Sequence, residues 1–444
     1  MKINNPVKAK PVVTHEGGIA SRTTHEETLR RTVMSCMLWE KEFYEDGVSI
    51  ADRIKTLVAK VPAQNVQHIA IYARESAKLR HVPLLIVREM ARLPTHKHLV
   101  AATLERIIQR ADELTEFLAI YWKDGKCPLA AQVRKGLGNA LKKFSEYDLA
   151  KYNRDGAVRL RDVMFLTRPK PNTEEQAALW KKLADDTLAT PDTWEVELSA
   201  SSDKLASWTR LLTEKKLGSL ALLRNLRNMT EVGVSRDKIK EAILTTNHSR
   251  TLPFRFIAAA RIVPPYEPQL ETALFNNLKT NERLSGRTLV LVDVSGSMDG
   301  ALSSKSDMTR LDAACGVAMV TREICDDAVV FSFSNKEVEV PARRGFALRD
   351  AITGSQSHGG TALAASLAGI NAKVSYDRII IITDEQSRDG SLAPKCDKAY
   401  IINVASAQNG VGYNKYVHIN GFSEAVVNFI IQYEKSAGKK PSED

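Results

Sequence analysis

The chain has 444 residues, 43% of them hydrophobic, and a formal net charge of +10. That length excludes one small domain and favours two or three units of roughly 100–200 residues each. No apolar run approaches the roughly 18–20 residues that span a bilayer, and the opening MKINNPVKAKPVV lacks the apolar core of a leader, so a cytoplasmic protein without a membrane partner is expected.

Cys36, Cys127, Cys315, Cys325 and Cys396 are scattered with no Cys-x-x-Cys pair, which points to buried free thiols rather than zinc or redox work. The charge is unevenly divided: residues 1–285 carry +12 and residues 286–444 carry −2. Lys and Arg supply most sequence-independent affinity for phosphate backbones, so the first part is the candidate for a polyanion partner.

From about residue 24 to residue 275, apolar residues return at three- and four-residue spacing, the mark of successive amphipathic helices. In TLERIIQRADELTEFLAIYW the stripe is Leu104, Ile107, Ile108, Ala111, Leu114, Leu118 and Trp122. Breaks at Pro62, Pro83, Pro94, Gly125, the Arg168-Pro169-Lys170-Pro171 stretch and Pro253 separate short helices. Paired helices stacked as an α-solenoid are the natural architecture, without a sharp sequence repeat.

From residue 287 compact apolar strands alternate with helices: RTLVLVD, a helix near 307–324, AVVFSF, KEVEV, a helix from 361, RIIIITD, AYIINVA and a last helix from 422. That is the pattern of a parallel α/β sheet. Residues 277–286, NLKTNERLSG, form a polar joint between the two grammars.

The first strand ends in Asp293-Val294-Ser295-Gly296-Ser297, which sets an acid and two hydroxyls at the carboxyl edge of the sheet, where open α/β sheets bind ligands. Thr361, after Gly359-Gly360, and Asp384, after the most apolar strand, bring oxygen to the same edge. Asp293, Ser295, Ser297, Thr361 and Asp384 are therefore the expected ligands of a hard divalent cation, magnesium by its preference for oxygen. Hydroxyls after a strand also serve as helix caps. His358 reads as a loop residue, and no catalytic triad or carboxylate pair for acid–base work is suggested. The five positions resemble the metal-ion-dependent adhesion site of von Willebrand factor A domains. In that family the site binds an acidic group of a partner or is structural.

The helical part resembles the TROVE module of the Ro autoantigen family. Gly17-Gly18 ahead of LRRTVMSCMLWEKEFYEDG resembles its opening, with Phe43-Tyr44 where paired tyrosines are common and Trp39 to Phe43 in place of a glycine-rich turn. LALLRNLRNMT resembles its internal motif, and Leu252-Pro253-Phe254-Arg255 its His-Pro-Phe-like element. The resemblance implies a ring-like α-solenoid of HEAT-like pairs over residues 1–280. A Rossmann-like von Willebrand A domain follows over 286–436, bridging the first and last helices of a monomer, with a polar tail at 437–444.

It also implies small structured noncoding Y-like RNA and single-stranded ends of misfolded RNA as partners. The densest basic window, residues 134–170, holds Arg134, Lys135, Lys142, Lys143, Lys151, Arg154, Arg159, Arg161, Arg168 and Lys170 against four acids. With Val133, Leu137, Ala140, Leu141 and Phe144 on one helical face, Lys135 and Lys142 fall opposite, toward solvent. Gly136 and Gly138 allow either close approach of an RNA backbone or a packing contact. In the family this region carries Y RNA contacts, and a histidine typical of it is Leu160 or Arg168 here, according to register. Lys204, Arg210, Lys215, Lys216, Arg224 and Arg227 form a second basic group, with Arg224 expected to hold helices together. Tyr121, Trp122, Tyr147 and Tyr152 are expected in packing, and His96 and His98 in a surface loop.

The expectation is a non-enzymatic RNA-binding protein acting in RNA quality control or processing with an exoribonuclease partner. A metal-dependent adhesion module on a helical scaffold is the alternative. A phosphodiesterase at Asp293 is disfavoured, because one ion lacks the second metal, base or clamp of phosphoryl transfer.

Overall fold

The computed structural model describes residues 12–14, 16–20, 24–35, 47–249, 251, 253–278, 282–302, 308–405, 415–421, 426, 429–431 and 433–434. Cys36, Trp39, Phe43, Tyr44, Leu252, the start of the last helix at 422 and the tail at 437–444 lie outside the described residues.

A short antiparallel hairpin, β1 (Val12–Val13) with β2 (Ile19–Ala20), comes first. The helices follow: α1 (His25–Ser35), α2 (Gly47–Val58), α3 (Ala63–Glu75), α4 (His81–Arg92), α5 (Val100–Ile107), α6 (Asp112–Tyr121), α7 (Ala131–Leu141) and α8 (Glu146–Tyr152). Then come α9 (Leu160–Thr167), α10 (Glu174–Ala184), α11 (Trp194–Ala200), α12 (Lys204–Thr213), α13 (Ser219–Glu231), α14 (Arg236–Thr245), α15 (Pro253–Ile262) and α16 (Glu267–Leu278). Helices two apart in sequence touch, α3 on α5, α5 on α7, α7 on α9 and α13 on α15, as stacked pairs require.

The long stripe is buried from Leu104 to Leu118, with Trp122 half-buried at its end, and belongs to two helices. Ile108 is extended at the end of α5. Glu113 Oε2 then accepts the amides of Gln109 at 2.7 Å and Arg110 at 3.1 Å, which ties the turn between the two helices to the start of the second. The stripe keeps its face while the axis changes.

The α/β part contains β3 (Leu284–Asp293), α17 (Arg310–Ile324), β4 (Cys325–Phe333), β5 (Glu337–Glu339), α18 (Gly345–Thr353), α19 (Leu363–Lys373), β6 (Arg378–Thr383), β7 (Lys398–Asn403) and β8 (Val417–Asn420). The sheet order is β5-β4-β3-β6-β7-β8, parallel except for β5, which runs antiparallel to β4 at the edge. KEVEV thus forms a hairpin return rather than another parallel strand.

The alternation of strand residues divides two apolar layers. Leu289, Leu291, Ile379, Ile381, Ala399 and Ile401 pack with α19. Val290, Val292, Ile380, Ile382, Tyr400 and Ile402 pack with α17, and that core continues without interruption into α12–α16, back to Trp208. A separate core joins Leu29 to Leu183. The change of grammar near residue 280 is therefore not where the cores part. They part between Leu183 and Trp208, inside the helical region.

Two surfaces fix the α/β part to the helices. From the last helices, Arg261 reaches Asp312 at 2.8 Å and Glu271 Oε1 accepts the Phe346 amide at 2.8 Å. From the first, α1 lies on β8, Arg31 pairs with buried Glu385, and Thr14 Oγ1 donates to the Ser387 carbonyl at 2.8 Å. The helical array starts and finishes on the same α/β unit.

Candidate metal centre and basic surface

In the sheet, the chain leaves β3 toward β4 on one side, while β6 lies on the other. Loops diverge at such a switch point and open a crevice at the carboxyl ends of the strands. Val292 pairs with Ile382, so Asp293 and Thr383 end neighbouring strands together. Thr383 Oγ1 donates to Asp293 Oδ2 at 2.6 Å, and the Ser295 amide donates to Oδ1 at 2.8 Å. Ser295 Oγ lies 3.2 Å from Ser297 Oγ.

The other loops are tied into this corner by backbone. Gly296 N donates to Gly359 O at 2.9 Å, Ala362 N to Ser334 O at 2.8 Å, and Arg388 N to Thr361 O at 3.0 Å. Thr361 is thus held between the ends of β4 and β6. The five expected ligands come from three loops locked to one another, with Asp293, Ser295, Thr361 and Asp384 buried and Ser297 partly exposed.

The electrostatics follow from that burial. Loss of solvent, and then the like charge of Asp384, push the Asp293 carboxyl up to about 7. Arg310 Nη1, 3.6 Å from Asp384 Oδ2, supplies a protein counter-charge. Two buried carboxylates beside hydroxyl oxygens suit a hard cation, so the donor set fits magnesium. Among the described residues no group of three or more His, Cys, Asp or Glu is arranged to hold a metal. Hydroxyl oxygen makes up the rest of this set. Sequence reasoning missed Arg310 and the role of Thr383, since neither follows from the spacing around Asp293. His358, read as a plain loop residue, binds Asp299 through Nδ1 at 2.8 Å and the Thr353 carbonyl through Nε2 at 3.0 Å.

The basic window folds as α7, α8, α9 and the turn after it. Val133, Leu137, Ala140, Leu141 and Phe144 are buried, and Arg134 and Lys135 are exposed. Lys142 is half-buried and donates to Asn172 Oδ1 at 3.0 Å. Lys143 is turned to its own scaffold: its ammonium donates to the carbonyls of Glu105 and Ile108, and burial lowers its pKa. Lys151 lies 5.6 Å from the Tyr147 ring, and Arg159 pairs with Asp155 at 2.6 Å. Arg154, Arg168 and Lys170 are exposed, and Arg161 is half-buried.

The glycines resolve toward packing. A Cβ on Gly136 would come within 2.8 Å of Leu104 Cβ and 2.9 Å of the Ala101 backbone, and one on Gly138 would touch Pro169 at 3.4 Å.

Four further expectations change. His96 is buried and binds the Val61 carbonyl through Nε2 at 3.0 Å, while His98 is exposed. Arg224 is exposed rather than holding helices together, and Tyr147 is 49% exposed rather than packed. Cys315 and Cys325 are buried thiols, whereas Cys127 is exposed.

Residues 186–299 match the family model of the TROVE domain, and residues 287–397 that of the Ro60 vWA domain. The chain joins a TROVE domain to a Ro60-type vWA domain. The structure superposes on the crystal structure of the Deinococcus radiodurans RO (RSR) protein with a TM-score of 0.62 at 18% identity, covering 93% of this chain and 100% of that one. Telomerase protein component 1 is 37% identical over 92 residues in Mus musculus and 36% over 92 in Rattus norvegicus, 19% of this chain. The chain spans only 4% of the length of those relatives.

The TROVE match begins where the helical cores part and shares its core with the vWA sheet. At the vWA face, burial alone would raise the Glu385 carboxyl, but Arg31 and His418, the latter 2.7 Å away, hold it below the usual carboxylate range. Gly18 sits so close that an added Cβ would meet the Ser387 carbonyl. The residue next to Asp384 is therefore clasped by the opening segment of the chain. No described helix is long and apolar enough to cross a membrane.

Proposed function

We propose that this TROVE–vWA chain is a non-enzymatic RNA-binding protein of Ro type. It holds small structured noncoding RNA and the single-stranded ends of misfolded RNA, and presents them to an exoribonuclease. The observation that carries this reading is the joining of a TROVE domain to an α7–α9 surface on which Lys135, Arg161, Arg168 and Lys170 have no acidic partner among the described residues. Phosphates are the chemistry such a surface recognises.

The vWA site serves as a magnesium-dependent dock for an acidic group, or as a clasp, rather than as a catalytic centre. When bound, magnesium would be held by Asp293, Ser295, Ser297, Thr361 and Asp384 and would offer an open coordination position to a partner oxygen. Among the described residues a Ser–His contact, Ser219 with His248 at 2.5 Å, is buried, and His248 Nε2 is engaged by the Ile243 carbonyl at 2.7 Å. It serves the helix junction.

Sequencing the RNA that copurifies with the protein tests partner and class together. In salt titrations, log affinity for structured RNA should fall by about 0.7–0.9 per contacted phosphate for each decade of salt. Lys135→Glu with Lys170→Glu should weaken every RNA tested. Absence of binding at low salt would overturn the reading, and magnesium-dependent RNA cleavage lost in Asp293→Ala would make the protein an enzyme.

A further inference from the structure

Helix α9 turns Leu160 and Val163 into the core, packs Met164 against it, and leaves two apolar side chains outside: Phe165 is 57% exposed and Leu166 40%. Phe165 is more exposed than Tyr147 at 49% or Tyr433 at 42%, and with Leu166 beside it in sequence the two present an apolar contact surface on an ordered helix.

Its surroundings narrow what that occupant is. Arg161 lies one turn before Phe165, which places the two side chains on one face about 5–6 Å apart at Cβ. Arg168 follows three residues later in the left-handed conformation, φ 47° and ψ 55°. A non-glycine residue enters that region at a cost of roughly 1–2 kcal/mol. The turn it makes sets Pro169 against Gly138 and leaves Arg168 and Lys170 exposed beside the helix end. The acid of this helix, Asp162, is occupied by the Arg159 amide at 2.8 Å. A flat apolar ring thus sits inside a frame of cations.

An apolar protein surface would match the ring and oppose the frame, and duplex RNA would match the frame and leave the ring uncovered. An unpaired nucleotide matches both, since its base has a flat apolar face and its phosphates are anionic. We infer that Phe165 is a platform on which one unpaired RNA base stacks, while Arg161 and Arg168 hold the flanking phosphates. This rests on the RNA-binding reading and adds to it one defined place at which an unpaired base stacks.

The test compares Phe165→Ala, Phe165→Tyr and the wild type, each checked for folding by circular dichroism. Fluorescence anisotropy follows binding to a hairpin RNA with an unpaired loop and to a fully paired duplex of equal length. Phe165→Ala should bind the loop RNA about tenfold more weakly, in line with one stacked base, with the duplex affinity and the salt slope unchanged. Phe165→Tyr should restore the loop affinity.

Equal loss on both RNAs, or no loss on either, overturns the inference. So does a change of oligomeric state in Phe165→Ala by light scattering, which would make a second copy of the chain the occupant. If the wild type binds neither RNA at low salt, the RNA-binding reading itself falls. If it binds both and only the stacking effect is missing, that reading stands without the platform.

Discussion

Asp293 and Asp384 place two carboxylates where neither has bulk water, and Asp293 titrates accordingly. Burial and like charge raise the folded pKa of Asp293 above its unfolded value of 3.8 to about 7. The sign follows: the strain is absent below pH 4 and costs stability as pH rises through about 7. In chelator at pH 8, Asp293→Asn should therefore be more stable than the wild type, by an amount on the order of a few kcal/mol. Adding magnesium should raise the melting temperature of the wild type and leave that of the variant unchanged. A variant less stable in chelator, with a wild type indifferent to magnesium, would deny the pair its proposed role. Asp293 and Asp384 were legible in the sequence because each ends an apolar strand. Arg310 was not, because its approach to Asp384 depends on where α17 starts in space.

At the scale of elements, α7 shows how sequence leaves a sign undetermined that packing decides. In an open helix, Gly136→Ala should stabilise by about 1 kcal/mol, the propensity difference between the two residues. Against Leu104 and Ala101, the same methyl has no room. Thermal unfolding should show Gly136→Ala destabilised by roughly 1–3 kcal/mol, the cost of overpacking. A gain in stability would mean that α5 and α7 stand further apart. The helices and strands that periodicity missed share a physical cause. Residues 345–353 and 417–420 are short, and the hairpin β1–β2 is shorter still, so none spans enough residues for a period to emerge. β5 was seen, but its direction was not, since three residues cannot reveal whether the chain crosses over or turns back.

At the scale of the molecule, the clasp at Glu385 is the most exposed to test. Removing Arg31 leaves a fully buried carboxylate with, among the described residues, His418 as its remaining basic neighbour. Breaking a buried pair on one side costs about 3–5 kcal/mol, so Arg31→Ala should unfold at lower temperature. Hydrogen exchange should quicken in α1, in β8 and in residues 384–390 together, while α13 and α14 keep their protection. Quickening confined to α1 would show that the loop carrying Asp384 does not depend on the clasp. The two-part organisation was legible from periodicity and charge. The core boundary was not: amphipathic stripes report that a helix buries a face, never which other helix or sheet it is buried against.

An open stack of helical pairs has two frayed ends, and such arrays need capping repeats with a polar outer side to stay in solution. Here both ends abut one keystone, the vWA domain, through Arg31 and Thr14 on one flank and Arg261 and Glu271 on the other. A hoop of this kind has no end from which to unravel. It has to break at a joint before it can peel, and one of its two joints stands one residue from Asp384.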